Sequence, residues 1–239
     1  MRWRWVGLGS LAILGGFYLF VRLMLVLQAW PDHAAHIGFA SAGLVGGATM
    51  ARHALIVPWR EPVGAAFGAI AIVVGFWALE PREVDLFVGG APGALLAIAI
   101  VIGTAIGGAA LARRYLGTRP TRVASALLDV QLLGGILLVI LALMTVMHAT
   151  KNAVIVPVLF GTALAGFLTQ AVTPVRSVWA CSGGSVVLVL IMLTGSGQWG
   201  QMLAGFGILW LVGALGAAIA WRVLPTRDPE ADVPSARLR

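Results

Sequence analysis

Long apolar stretches separated by short polar segments make up most of the chain. About 20 consecutive apolar residues are needed for an α-helix to cross the hydrocarbon core of a membrane. The stretches that meet this requirement are residues 5–29, 34–57, 63–79, 87–112, 124–147, 153–173, 178–196 and 202–221. The pattern predicts an all-α, polytopic integral membrane protein with about eight transmembrane helices. Because the connections are short, we expect consecutive helices to form four antiparallel hairpins.

The composition supports a membrane environment over a soluble one. Hydrophobic residues make up 60% of the chain, charged residues 10%, and the mean hydropathy is +0.97. A soluble domain typically has about 45–50% apolar and about 25% charged residues. We therefore assign residues 1–224 to the transmembrane bundle, with the lipid bilayer as its surroundings. Residues 225–239 combine proline with charged residues and are predicted to form a short mobile cytoplasmic tail.

Arginine is distributed unequally between the two sides of the predicted bundle. With the N-terminus in the cytoplasm, the outer loops contain only Arg82 and Lys151. The inner side then holds thirteen arginines: Arg2, Arg4, Arg52, Arg60, Arg113, Arg114, Arg119, Arg122, Arg176, Arg222, Arg227, Arg237 and Arg239. This positive-inside asymmetry predicts that both termini are cytoplasmic, in a bacterial cytoplasmic membrane. The net charge of +7 is thus explained by topology, and we expect no nucleic-acid partner.

Small residues followed by arginine recur at the inner ends of the even-numbered stretches. Examples begin at Gly47, at Gly103 and at Gly216. The recurrence predicts hairpin repeats near 1–58, 59–120, 121–176 and 177–224; alternatively, it reflects the general enrichment of small residues where membrane helices pack closely. The glycines expected at helix contacts are Gly43, Gly46, Gly47, Gly103, Gly107, Gly108, Gly161, Gly213 and Gly216.

Asp129 is the one carboxylate inside a predicted transmembrane stretch. An ionisable residue in a membrane helix is a candidate functional site and usually has a partner. Arg52 and His53 lie at a similar predicted depth and are candidate partners. Two interpretations stay open: a proton or cation site, or an anchor at the membrane interface. Arg22 has two interpretations as well, a side chain that reaches outward to the interface or a group that binds an anion or ion-pairs.

Histidine and carboxylate side chains occur together on the predicted outer side. Asp32, His33 and His36 open the second stretch, and His148 follows the fifth. Imidazole and carboxylate together suit zinc, copper, iron or nickel, and histidine can also bind haem iron. Asp32 alone is explained as a helix N-cap. We therefore predict no cofactor and keep a metal or haem site as an alternative.

No catalytic motif is found, which leans against an enzyme. The sequence lacks G-x-S-x-G, H-E-x-x-H, a phosphate loop and C-x-x-C. The favoured function is transport or conduction of an ion or a small or lipid-like solute. The alternatives are a non-catalytic transmembrane subunit of a larger complex and a membrane protein that handles metal or haem for redox chemistry. In each case we expect protein partners or a homo-oligomer.

Overall fold

The computed structural model describes residues 3–27, 34–53, 59–79, 90–116, 121–147, 155–173, 177–182 and 199–224. These residues form α-helices and helical turns and contain no β-strand. The helices are α1 (Trp3–Val26), α2 (Ala34–His53), α3 (Arg60–Leu79), α4 (Gly90–Leu111), α5 (Arg122–Val146), α6 (Ile155–Val172) and α7 (Trp199–Val223). A π-helical turn (Ala112–Leu116) continues α4, and a short 3-10 turn (Ala180–Ser182) lies between α6 and α7.

The described helices confirm the all-helical prediction, and their length and composition are consistent with a membrane protein. Five of them, α1, α2, α4, α5 and α6, are long and apolar enough to cross a membrane. Each helix end lies within four residues of the end predicted from the sequence. Residues 183–198 contain most of the predicted seventh stretch and lie outside the described residues, as does the predicted tail. The count of eight and the orientation of the termini therefore stay predictions.

Local sequence signals explain where α5 begins. Thr121 precedes the helix with an extended backbone, and its hydroxyl accepts a hydrogen bond from the Ala124 amide at 3.2 Å. This N-cap satisfies one of the amide groups that the first helical turn leaves unpaired. At the other end, the Met147 amide donates to the Leu143 carbonyl at 2.9 Å.

α1 lies at the centre of the arrangement and packs against α2, α3 and α5. α4 packs on α2 and α3, while α6 packs on α5 and α7. The core at these contacts is apolar, with Ile13, Leu132 and Leu133 almost completely buried. Among the described contacts, α1 with α5 is the main connection between the α1–α4 part and the α5–α7 part.

Several helix contacts are so close that only glycine fits. A Cβ atom built at Gly47 would meet the backbone of Ala105, and one built at Gly108 would meet the backbone of Leu44. α2 and α4 therefore pack backbone against backbone. Such contacts suit a membrane protein, because dispersion forces between closely packed helices replace the hydrophobic effect that drives packing in water.

Candidate functional site

Asp129 is buried within α5. It is the seventh residue after Arg122, so it lies about 10 Å along the axis from the start of the helix. The residue is only 2% exposed. A buried carboxylate in an apolar bundle carries a large desolvation cost unless polar groups surround it. The groups around Asp129 therefore decide what this part of the molecule can do.

The hydroxyl of Thr169 in α6 contacts the Asp129 carboxylate. Thr169 Oγ1 lies 3.2 Å from Asp129 Oδ1 and 2.9 Å from the Ala165 carbonyl oxygen. A hydroxyl has one hydrogen to donate and can also accept. With Asp129 ionised, Thr169 donates to the carboxylate. With Asp129 protonated, the carboxyl donates to Thr169, whose own hydrogen goes to Ala165. The same geometry thus accommodates both protonation states.

A second pair of hydroxyls lies one helical turn closer to the start of α5. Ser125 Oγ and Thr173 Oγ1 are 2.8 Å apart, and either can be the donor. Ser125 is also within 3.1 Å of the Thr121 carbonyl oxygen, which accepts. Ser125 is fully buried and Thr173 is 6% exposed, whereas Thr121 is exposed. Polar groups therefore begin at an exposed helix end and continue inward.

These side chains form one polar strip along the contact between α5 and α6, which we name the hydroxyl ladder. The two helices contribute residues spaced by four, so that each set lies on one helix face. Its members are Thr121, Ser125, Asp129, Thr169 and Thr173. The hydroxyls of Ser125, Thr169 and Thr173 can each donate or accept, whereas Thr121 takes part through its backbone carbonyl, which only accepts. The ladder ends at Asp129, its ionisable member.

The 3-10 turn (Ala180–Ser182) lies close to Asp129, in addition to α6. It packs against α5, α6 and α7, and both Cys181 and Ser182 are fully buried. The Cys181 side chain lies near the Asp129 carboxylate. Cys181 is the one cysteine of the chain. It therefore offers a unique chemical probe beside the carboxylate.

Gln131 is a further buried polar residue of α5. It is 1% exposed, and neither its amide nitrogen nor its amide oxygen has a hydrogen-bond partner among the described residues. Gln131 lies two residues after Asp129 and therefore on a different face of the helix. Its backbone carbonyl lies against Gly15 of α1.

The predicted partners of Asp129 on α2 lie at the end of that helix. Arg52 is half-buried, and His53 is buried, with its Nδ1–H donating to the Thr49 carbonyl oxygen at 2.8 Å. The contacts described for Asp129 come from α6 and from the 3-10 turn. α2 has only a small contact with α5.

Arg22 turns back along its own helix. Its Nε donates to the hydroxyl of Tyr18 at 3.2 Å, and its guanidinium carbon lies 5.4 Å from the centroid of the Tyr18 ring. Tyr18 is only 5% exposed. The side chain therefore points toward the N-terminal part of α1, the direction that helical side chains favour.

The candidate metal ligands fall largely outside the described residues. Asp32, His33 and His148 lie there, whereas His36 is half-buried in the first turn of α2. Among the residues that the structure does describe, no three His, Cys, Asp or Glu side chains are close enough together to hold a metal ion.

The glycines predicted at helix contacts fall into two groups. A Cβ atom built at Gly103 or Gly107 would have no described neighbour within 4 Å. The other positions face a neighbouring helix or the 3-10 turn at close range: Gly43, Gly46, Gly47, Gly108, Gly161, Gly213 and Gly216.

The sequence analysis did not identify Ser125, Thr169, Thr173 or Gln131. The spacing of four between Thr121, Ser125 and Asp129 is a signal that could have indicated the ladder on α5. The matching pair on α6 follows the same spacing, but only the rotation of α6 shows that it faces α5.

Comparison with protein-family models, with curated proteins and with solved structures finds no match for this chain. The function is therefore argued from the site itself.

Proposed function

We propose that this protein moves protons across a membrane, with Asp129 as the residue that takes up and releases the proton. The observation that carries the proposal is a carboxylate 2% exposed whose described hydrogen-bond partner is a hydroxyl that can both donate and accept. Ionisable residues inside membrane helices commonly mark proton or ion pathways.

The hydroxyl ladder gives the proton a path from one end of the bundle. Thr121 is exposed, Ser125 and Thr173 are in hydrogen-bond contact, and Thr169 contacts Asp129. One helical turn, about 5.4 Å, separates successive positions along each helix. With the predicted topology, the exposed end of the ladder faces the cytoplasm.

The chemistry of the ladder favours a proton over a larger cation. Alkali and alkaline-earth cations take six or more oxygen ligands, of which carboxylates are the strongest. The ladder supplies one carboxylate, and its hydroxyls bond to each other or to backbone carbonyls. A proton needs only one acceptor at a time, and the hydroxyls and the carboxylate each supply one.

Proton flux in liposomes tests the proposal. The purified protein is reconstituted into vesicles that contain a pH-sensitive dye, and a potassium gradient with valinomycin drives proton entry. We expect flux above that of empty vesicles, and loss of that excess in Asp129→Asn, which keeps size and shape but cannot ionise. Flux in Asp129→Asn equal to the unaltered protein, at equal folding and insertion, would refute the proposal.

A subunit of a larger membrane complex is the second candidate function. Gly103 and Gly107 of α4 favour it, because they have no described neighbour within 4 Å and small residues allow another helix to approach closely. Purification in mild detergent followed by mass spectrometry distinguishes the two candidates. A partner recovered in stoichiometric amount, together with no flux from the isolated chain, would favour the subunit.

A further inference from the structure

The contact between α2 and α4 has a counterpart later in the chain. In the first contact, Gly47 faces the backbone of Ala105, and Gly108 faces the backbone of Leu44. Each helix thus contributes one glycine that the other helix's backbone covers.

α6 and α7 meet in the same way. A Cβ atom built at Gly166 would meet the backbone of Gly213, and one built at Gly216 would meet the backbone of Ala163. Both contact positions on α6 are displaced by 119 residues from those on α2, and both on α7 by 108 from those on α4. Two independent contact pairs therefore share one register.

The contact between α1 and α2 repeats in the same register. A Cβ atom built at Gly16 would lie 3.1 Å from the Ala42 Cα, and one built at Gly161 would lie 3.0 Å from the Ile136 side chain. Displacing Gly16 by 120 residues gives Ile136, and displacing Ala42 by 119 gives Gly161. The glycine lies on α1 in the first contact and on α6, the equivalent of α2, in the second contact. The contacting positions are nevertheless equivalent.

α1 and α5 cross with exchanged partners. A Cβ atom built at Gly15 would meet the Gln131 carbonyl, and one built at Gly135 would meet the Leu11 carbonyl. Under the displacement of 120 residues, Leu11 corresponds to Gln131 and Gly15 to Gly135. Such an exchange is what a twofold axis produces at an interface between equivalent units. The first unit is α1–α4, and the second begins at α5.

The two units differ in polarity at equivalent positions. In the first, Gly9 faces the Met50 and Ala65 side chains. Under the same displacements, Gly9 corresponds to Asp129 and Met50 to Thr169. In the second unit, Asp129 and Thr169 are in hydrogen-bond contact. The first unit therefore has an apolar packing contact where the second has its carboxylate.

The second difference lies at the crossing of α1 and α5, where Leu11 of the first unit corresponds to Gln131 of the second. Gln131 is 1% exposed and has no partner for either amide atom among the residues that the structure describes. An unpaired buried donor or acceptor lowers the stability of the folded protein. The equivalent position in the first unit avoids this loss, because it holds the apolar residue Leu11. The amide is therefore unexplained by packing.

We infer that the chain is a fused pair of equivalent helical units in the same orientation, and that Gln131 binds a water molecule at the crossing between them. The amide supplies one acceptor and a donor group, and the crossing also contains the backbone carbonyls of Leu11 and Gln131. A buried water needs two to four such partners. Substrate sites of transporters built from repeats lie at the interface between the repeats.

This inference rests on the proposed function and deepens it. The water bound by Gln131 would be a second group that can carry the proton, two residues beyond Asp129 in the sequence. The water belongs to the second unit alone, since Leu11 offers no polar side chain. Each chain then has one pathway, not two related by the twofold axis.

Radiolytic hydroxyl labelling with mass spectrometry tests the inference directly, since bound water produces radicals that label the side chains next to it. The variants are Gln131→Leu, which copies the first unit, and Leu11→Gln, which adds an amide to the first unit and serves as the matched control. We expect labelling of the buried α5 segment around Gln131 in the unaltered protein and in Leu11→Gln. We expect its loss in Gln131→Leu, with thermal stability unchanged or raised.

Flux separates this inference from the proposed function. Gln131→Leu should lower proton flux by about two- to tenfold, the effect of losing one neutral hydrogen bond. Thr162→Val, which removes a hydroxyl that donates to the Val158 carbonyl, should keep flux. Equal labelling of the α5 segment in Gln131→Leu and the unaltered protein overturns the water site. Full flux in Gln131→Leu with flux lost in Asp129→Asn overturns its place on the pathway and leaves the proposed function standing.

Discussion

The crossing of α1 and α5 should be intolerant of even one added methyl group. In Gly135→Ala the new Cβ atom would lie 2.9 Å from the carbonyl carbon and 3.1 Å from the Cα of Leu11. Carbon atoms in good contact are about 3.5–4.0 Å apart, so the helices must separate by up to about 1 Å. Neither backbone can yield locally. Overpacking of this kind costs about 1–3 kcal/mol, and the better helix propensity of alanine recovers about 0.5–1 kcal/mol of it.

Gly103→Ala is the matched control, because the same substitution in α4 meets no described neighbour within 4 Å. It should leave stability unchanged or raise it by up to about 1 kcal/mol. Reversible unfolding in mixed micelles with increasing SDS, followed by tryptophan fluorescence from the nine tryptophans, measures both variants. We expect Gly135→Ala to be less stable than Gly103→Ala by about 1–3 kcal/mol. Equal stability of the two variants would show that α1 and α5 do not cross here.

Two further predictions concern the surroundings of Asp129. Thr169→Val should lower proton flux by about tenfold, because it removes the hydroxyl that contacts the carboxylate. The control Thr162→Val should keep flux, since the hydroxyl that it removes donates to the Val158 carbonyl within α6. Equal flux in the two variants would contradict the role of Thr169. Cys181 should react slowly with N-ethylmaleimide in the folded protein and quickly in SDS, since its side chain is fully buried. Mass spectrometry follows the reaction, and fast labelling of the folded protein would contradict this burial.

The apolar stretches predicted the helices well because length and hydropathy are local properties of the chain. The third predicted stretch ends at Leu79 in both the prediction and the structure, and the second begins at Ala34 in both. The count of eight depends on residues 183–198, which lie outside the described part of the chain. Burial of Asp129 did not follow from the local pattern, which left open whether the carboxylate is a site within the bundle or an anchor at the membrane interface.

The contact between Asp129 and Thr169 could not be predicted, because it depends on how α6 is rotated about its axis. Sequence spacing placed Arg52 and His53 at a similar depth but did not indicate which helix faces Asp129. The glycines show the same limit. Gly43 and Gly103 have similar small-residue neighbourhoods in the sequence, yet only Gly43 faces another helix at close range. Arg22 had two open interpretations, and its hydrogen bond to Tyr18 depends on side-chain direction.

The larger repeating unit that we infer could likewise not be predicted from the sequence. The small residues before Arg52 and Arg222 suggested hairpins as the repeating unit. The contacts relate Gly108 to Gly216 and Gly47 to Gly166. This relation indicates a larger repeating unit, and the single-hairpin repeat stays a prediction. Few side chains are identical at equivalent positions, because close packing requires only that one residue of each contacting pair be small.

Infrared difference spectroscopy of the reconstituted protein tests most directly whether Asp129 binds and releases a proton. A protonated carboxyl group has a C=O stretching band that an ionised carboxylate lacks. We expect a band that appears and disappears reversibly with pH in the unaltered protein and is missing from the difference spectrum of Asp129→Asn. A band that persists in Asp129→Asn, or an Asp129 signal that does not change with pH, would contradict the assignment of this residue as the proton carrier.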